Sequence, residues 1–321
     1  MTLQNGWVTA LIHWYEKAKR DLPWRRTRDP YAVWISEIML QQTRVEAVIG
    51  YYNRFLLPFP TVHALADAPE EAVLKAWEGL GYYSRARNMH KAAKIVSGSM
   101  HGAFPNTSEK IRKLPGIGNY TAGAIASIAF GEAVPAVDGN VKRVASRLFG
   151  IRENIDRPSV IRDIRAALTQ AIPEGQASAF NQALMELGAT VCIPRAPRCK
   201  ACPVRHFCDA RAAGDADSLP VIEPKKPPVT VNVAVCLLTY GKAILLFKRG
   251  ERLLRGLYVF GLTEGVTEAS DAREYWTEHG LRTRFVSDMG TARHVFTHRV
   301  WDMTILHFQL LEKPSAAFLR A

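Results

Sequence analysis

Apolar residues recur at helical spacing through most of the first 190 positions of the chain. Trp7, Leu11, Ile12, Trp14 and Tyr15 alternate with Glu16, Lys17, Lys19 and Arg20 in the pattern of an amphipathic helix. Asp29 ahead of Pro30 is a capping residue followed by a favoured first-turn proline, and it opens a helical pattern expected to run to about Gly50. Further helices are expected at about 69–78, 84–98, 108–113, 119–130, 140–149, 159–171 and 176–191. Few stretches alternate with period two, so this part is expected to be all-α. The texture then changes. Asp209 to Pro228 carries Pro220, Pro224, Pro227 and Pro228 among small and charged residues, which is linker chemistry. Beyond it, Val229–Tyr240 and Lys242–Lys248 are β-branched or apolar runs parted by Gly241, predicting a β-hairpin that opens an α+β domain. The expected organisation is a helical domain over 1–211, a linker over 212–228 with the boundary near 225, and an α+β domain over 229–321.

Composition adds a partner class. The 321 residues have length for about two domains. The formal charge of +12 favours an acidic partner, and it is uneven: residues 229–321 hold 12 Lys/Arg against 9 Asp/Glu, leaving most of the excess in the helical part. No apolar run approaches the roughly 18–20 residues that span a membrane. The N-terminus has no signal-peptide pattern, so a cytoplasmic, bacterial and nucleoid-associated protein without a membrane partner is expected. In a reducing compartment, clustered cysteines point to metal before disulfide.

Four of the five cysteines are clustered: Cys192, Cys199, Cys202 and Cys208, spaced C-x6-C-x2-C-x5-C. Four thiolates so close can surround one soft metal centre. Structural zinc is the ordinary alternative, but zinc sites usually pair two short knuckles, and here only Cys199 and Cys202 are that near. Cys236, alone in an expected strand, reads as a core residue. Leu114-Pro115-Gly116-Ile117-Gly118 joins two expected short helices. Its glycines permit a tight turn and bare backbone N–H groups at a helix start, where a phosphate oxygen can bind. Two carboxylates also stand out. Glu37 lies within Val33-Trp34-Ile35-Ser36-Glu37-Ile38-Met39-Leu40, neighbours that would desolvate it and raise its pKa. Asp138 follows Val134-Pro135-Ala136-Val137 and precedes a helical run. The ordinary readings are a surface charge for Glu37 and a helix cap for Asp138.

Together these features resemble a family. The cysteine spacing is similar to the iron–sulfur loop of the endonuclease III superfamily, and L-P-G-I-G between helices is the helix-hairpin-helix signature of those DNA glycosylases. Leu22-Pro23-Trp24-Arg25, Trp34 to Thr43, Gly79 to Asn88 and Asp138-Gly139-Asn140-Val141-Lys142-Arg143-Val144 narrow the resemblance to the adenine DNA glycosylase (MutY) family. It implies a multidomain chain: an all-α helix-hairpin-helix glycosylase domain, with the hairpin at about 108–130 and the iron–sulfur loop at 192–208, then an α+β Nudix-like domain.

The resemblance implies excision of adenine opposite 8-oxoguanine or guanine in double-stranded DNA by a monomer. Glu37 would be the proton donor and Asp138 the carboxylate at the sugar, the division of labour of sugar hydrolases. Tyr120 and Asn140 would orient them. Arg25 would contact the flipped base, Gln42 and Tyr82 would wedge the duplex, and Leu40 and Gln41 would pack against the extruded adenine. Gly116 and Gly118 would grip DNA backbone, with a monovalent cation at the hairpin. Cys192, Cys199, Cys202 and Cys208 would hold one [4Fe–4S] cluster and present a basic loop of Arg195, Arg198, Lys200, Arg205 and His206 to DNA. Two residues past Gly118, where lyase relatives carry a nucleophilic lysine, stands Tyr120; a phenol forms no imine, so no efficient lyase step is expected.

In residues 229–321 a Nudix pyrophosphatase would need G-x5-E-x7-R-E-U-x-E-E-x-G-U. Arg273-Glu274-Tyr275-Trp276-Thr277-Glu278-His279-Gly280-Leu281 keeps the end of that pattern, but Thr277 replaces one glutamate and Gly265 stands where another belongs. This domain is therefore expected to read a base and to hydrolyse nothing, through Phe296, Thr297 and His298, where the family commonly has Phe-Ser-His. The chain stops soon after Phe308, so the domain is expected to be truncated at its C-terminus. The alternatives are an endonuclease III-like glycosylase/lyase for oxidised pyrimidines, a non-catalytic DNA-binding module and a nucleotide pyrophosphatase.

Overall fold

A computed structural model describes residues 6–224, 227–251, 253–315 and 318, and the chain divides into two compact units, through Glu223 and from Pro224 onward. The first unit is helical: α1 (Gly6–Ala18), α2 (Pro30–Met39), α3 (Val45–Leu56), α4 (Val62–Asp67), α5 (Glu70–Ala76), α6 (Ser84–Ser99), α7 (Ser108–Ile111), α8 (Asn119–Phe130), α9 (Gly139–Leu148), α10 (Pro158–Ala171), α11 (Ala177–Thr190) and α12 (Asp209–Ala213). They bury two cores. One gathers α2 to α8 around Trp34, Phe55, Trp77 and Ile125; the other joins α1 to α9, α10 and α11 around Trp7, Leu11, Phe180 and Leu187. The first helix is thus closed against partners far along the chain, and a cleft lies between the cores.

Three expectations change. The helix opened by Asp29 does not run to Gly50: it ends at Met39, and a turn over 40–44 precedes α3. The short α4, capped by the Thr61 hydroxyl on Ala64 N–H, had no counterpart in the sequence reading. The linker is also shorter than 212–228. Ala216 and Leu219 are buried against Ala210, and Val221 bridges Asn154, so the chain stays on the first unit to Glu223.

The second unit is a mixed sheet with one helix. β1 (Val229–Tyr240) pairs antiparallel with β2 (Ala243–Leu245), as the hairpin pattern predicts, although the second run is broken at Leu246 before β3 (Phe247–Lys248). β3 pairs with β4 (Tyr258–Val259), and β5 (Gly261–Glu264) pairs with β1. After α13 (Ala269–Glu278), β6 (Thr283–Val295) pairs antiparallel with β7 (Arg299–Leu310), and β7 runs parallel to β1. Ala234, Cys236 and Leu238 alternate inward on β1 and pack with Trp276, Leu306 and Phe308, the period-two burial of a one-sided sheet.

Candidate active site

Every residue of α2 from Tyr31 to Met39 is buried, so the one carboxylate on it is buried too. The helix starts where it must because Asp29 accepts from the N–H groups of Tyr31 (3.3 Å) and Ala32 (3.1 Å), with Pro30 in its first turn. Glu37 is 5% exposed and accepts a 2.7 Å hydrogen bond from the Tyr120 hydroxyl on α8. Burial pushes its carboxyl up to about 7; the Tyr120 bond and the Arg25 charge pull down, and Asp138 pushes up. The Tyr120 phenol is itself raised well above its ordinary range by burial and the two carboxylates, so it stays a donor.

Asp138 is the cap of α9, accepting from Val141 N–H at 2.7 Å with Oδ1. Its Oδ2 accepts from Asn140 Nδ2 at 2.9 Å. The structural and the chemical readings of this residue are therefore compatible, since capping occupies one oxygen of the carboxylate. Burial raises its carboxyl, opposed by the donors of Val141 and Asn140 and by Arg143. Arg143 in turn donates to Asn140 Oδ1 and Gly188 O (both 2.8 Å) and to Cys192 O (2.8 Å), tying α9 to α11 and to the cysteine loop. Two glycines let these elements close. A Cβ on Gly188 would stand 2.6 Å from Asn140 Cβ, and one on Gly123 would stand 2.8 Å from Pro135 O.

A cavity of about 650 Å³ in the cleft collects Glu37, Asp138, Tyr120, Asn140, Arg25, Leu40, Gln41, Gln42 and Tyr82. All nine residues that the sequence assigns to catalysis, base contact and flipping line this one space. Gly116 and Gly118 lie outside it, in the α7–α8 hairpin. Gly116 has φ +77°, and a Cβ there would meet Asn88 Cβ at 2.6 Å; Gly118 caps α8 without a side chain, leaving first-turn N–H groups for an anion.

Several cavity residues escaped the sequence reading. Glu186 on α11 is fully buried and accepts from Arg20 Nε and Nη2 (both 2.8 Å) and from Arg25 Nη2 (2.7 Å). Burial alone would raise this carboxyl, but the two arginines hold it at about 2. Gln182, on the same wall, accepts from the Tyr15 hydroxyl at 3.1 Å. Arg85 lines the mouth. Nothing in the local sequence marked Glu186 or Gln182, because their partners lie up to 167 positions away, and Arg85 stood out only as part of the Gly79 to Asn88 block.

Cys192, Cys199, Cys202 and Cys208 are free thiols lining a second, small cavity of about 20 Å³ with Arg147, Arg198, Arg205 and Arg211. Arg147, buried, donates to Cys192 Sγ (3.3 Å) and to the carbonyls of Ile193, Pro194 and Leu219 (2.7, 2.9 and 2.9 Å). Burial pushes the Cys202 thiol up to about 12, with the neighbouring cysteines adding to the rise. Among the described residues no three His, Cys, Asp or Glu side chains converge as a single metal ion requires.

In the second unit, Phe296, Thr297 and His298 form the turn between β6 and β7. Phe296 N–H donates to Arg299 O at 2.8 Å, and its ring packs on Trp301 and His294. Thr297 and His298 are exposed at the tip.

Comparison with known proteins agrees in kind. Residues 35–170 match the HhH-GPD superfamily of base excision DNA repair proteins. An adenine DNA glycosylase from Homo sapiens is 46% identical over 219 residues, covering 65% of this chain and 40% of the human protein. One from Buchnera aphidicola subsp. Schizaphis graminum is 36% identical over 252 residues, covering 78% of this chain and 73% of that protein. The match thus spans less than half of the human relative's length. Among solved structures, a thermostable thymine-DNA glycosylase has a TM-score of 0.60 at 29% identity, covering 65% of this chain and 96% of its own. A trapped endonuclease III–DNA covalent intermediate has a TM-score of 0.57 at 25% identity, covering 66% and 99%.

Proposed function

The chain belongs to the adenine DNA glycosylase family, and we propose from this premise that it hydrolyses the N-glycosidic bond of adenine mispaired with 8-oxoguanine or guanine in duplex DNA. One observation carries the proposal: a carboxyl able to hold a proton near neutral pH and a second, hydrogen-bonded carboxylate share a cavity of a size to take a purine. Extrusion of the base costs a few kcal/mol, which stacking and polar contacts offset. Glu37 gives its proton to N7 of the flipped adenine, and the C1′–N9 bond breaks with its electron pair leaving on the base. Asp138 faces the cation so formed on the sugar. Glu37, now ionised, takes a proton from the water that adds to C1′, and adenine and an abasic site are released. Tyr120 holds Glu37, and Asn140 holds Asp138. With Tyr120 in place of an amine there is no imine, so borohydride should trap no stoichiometric adduct near residue 120.

The four cysteines fit a [4Fe–4S] cluster better than a single ion. Only Cys199 and Cys202 are spaced as a zinc knuckle, and all four line one small cavity, partly buried, where Arg147 donates to Cys192 Sγ. Cys192, Cys199, Cys202 and Cys208 would hold it. When bound, it supplies a rigid anchor for the basic loop and no reacting group. Phe296, Thr297 and His298 would read the 8-oxoguanine, and Gly116 and Gly118 would grip phosphate, with a monovalent cation at the hairpin.

Duplexes carrying A opposite 8-oxoguanine, A opposite G, and thymine glycol test the reading. Adenine release from the first two with thymine glycol untouched is expected. Release of the oxidised pyrimidine, or intact adenine after long incubation with excess protein, overturns it.

A further inference from the structure

The two exposed tips at the cavity mouth are both held in the left-handed backbone region. Gln42, in the turn between α2 and α3, has φ +57°, and Tyr82, in the turn before α6, has φ +48°. Neither is glycine, so something must hold each peptide over. One side chain touches both turns. Arg85, in the first turn of α6, donates through Nη1 to the carbonyls of Ile38 (2.9 Å), Met39 (3.1 Å) and Gln41, and through Nη2 to those of Leu80 (3.1 Å) and Gly81 (3.3 Å). The carbonyls of Gln41 and Gly81 belong to the peptides whose planes set φ of Gln42 and Tyr82. The guanidinium also lies over the rings of Trp77 (5.3 Å) and Tyr82 (5.5 Å) and near the Thr43 hydroxyl (3.4 Å). Among the described residues it meets no carboxylate. Its charge is met by carbonyl oxygens, two of them in the last turn of α2.

We propose that Arg85 is a positioning residue that sets the spacing and aim of Gln42 and Tyr82, so that extrusion of the base depends on it while the chemistry at Glu37 and Asp138 does not. The inference rests on the reading of the cavity as an adenine pocket with these two residues as its wedge. A planar fork is required, since a lysine ammonium cannot reach both turns with fixed donors.

The test uses the full chain with Arg85→Gln and Arg85→Lys. Two readouts separate extrusion from bond cleavage. The first is the fluorescence of 2-aminopurine placed opposite 8-oxoguanine, which brightens when unstacked. The second is the single-turnover rate of adenine release from the 8-oxoguanine mispair, compared with adenine opposite an abasic site, where stacking is already weakened. Both variants should lose the brightening and slow release from the mispair about 30-fold or more, yet stay within about threefold of wild type on the abasic duplex. Equal slowing on both duplexes, or retained brightening, overturns the proposal. Arg85→Lys serves should Arg85→Gln fold poorly, as a melting curve would reveal. The underlying reading fails separately: a wild-type chain that brightens the probe but releases no adenine sinks the glycosylase assignment and leaves the wedge role of Arg85 readable.

Discussion

A carboxyl that donates a proton at neutral pH must be kept from ionising, and burial on α2 does this for Glu37. Adenine release should therefore fall as pH rises through about 7, and Glu37→Gln should slow it roughly 10²–10⁴-fold. Stability moves with a definite sign. Between its ordinary 4.5 and about 7, folded Glu37 keeps a proton that the unfolded chain has lost, so stability falls as pH rises through that window. At about pH 8 the buried charge costs up to roughly 3 kcal/mol. Urea titration should find the slowed Glu37→Gln variant more stable than wild type there, and no such gain below about pH 4.5. Asp138 separates differently. Asp138→Asn keeps an oxygen for Val141 N–H but sets an amide nitrogen against the Asn140 donor, so activity should vanish with about 1 kcal/mol of stability lost, whereas Asp138→Ala should lose about 1 kcal/mol more with the cap.

Helices carry these groups, and their crossings decide where the groups sit. Gly188→Ala would force α11 away from Asn140, where no space for a methyl exists. A displacement on the order of 1 Å at Asp138 should cut the single-turnover rate about 100-fold with little change in DNA affinity. Most helices were legible because each buries one face and leaves a 3.6-residue period. The end of α2 was not. Leu40, Gln41, Gln42 and Thr43 suit a helix, and what turns the chain there is held by Arg85, 43 or more residues away in sequence from the turn's own tip at Gln42. The six-residue α4 was too short for a period to show. Glu37 and Asp138 were legible through their flanking motifs, but Glu186 was not, since only the fold brings Arg20 and Arg25 to it.

At the scale of the molecule, most of the positive charge belongs to the helical unit, so DNA affinity should weaken steeply with salt. The second unit should add choice rather than chemistry. Thr297→Ala with His298→Ala should leave release of adenine opposite guanine unchanged and erase the preference for 8-oxoguanine; an unchanged ratio of the two rates would assign recognition elsewhere. Its sheet was foreseen only at the opening hairpin, because the parallel pairing of β1 with β7 joins residues some 70 positions apart, beyond any local pattern. The pairing of α1 with α11 has a consequence for synthesis. Arg20 meets Glu186 across 166 residues, so a ribosome must deliver nearly all of the helical unit before that wall of the cavity can close. The core around α2 to α8 can condense earlier, but an unfinished chain would own the acid on α2 without a closed pocket around it. Newly made chain would thus lack the Glu186 wall of its cavity until α11 docks.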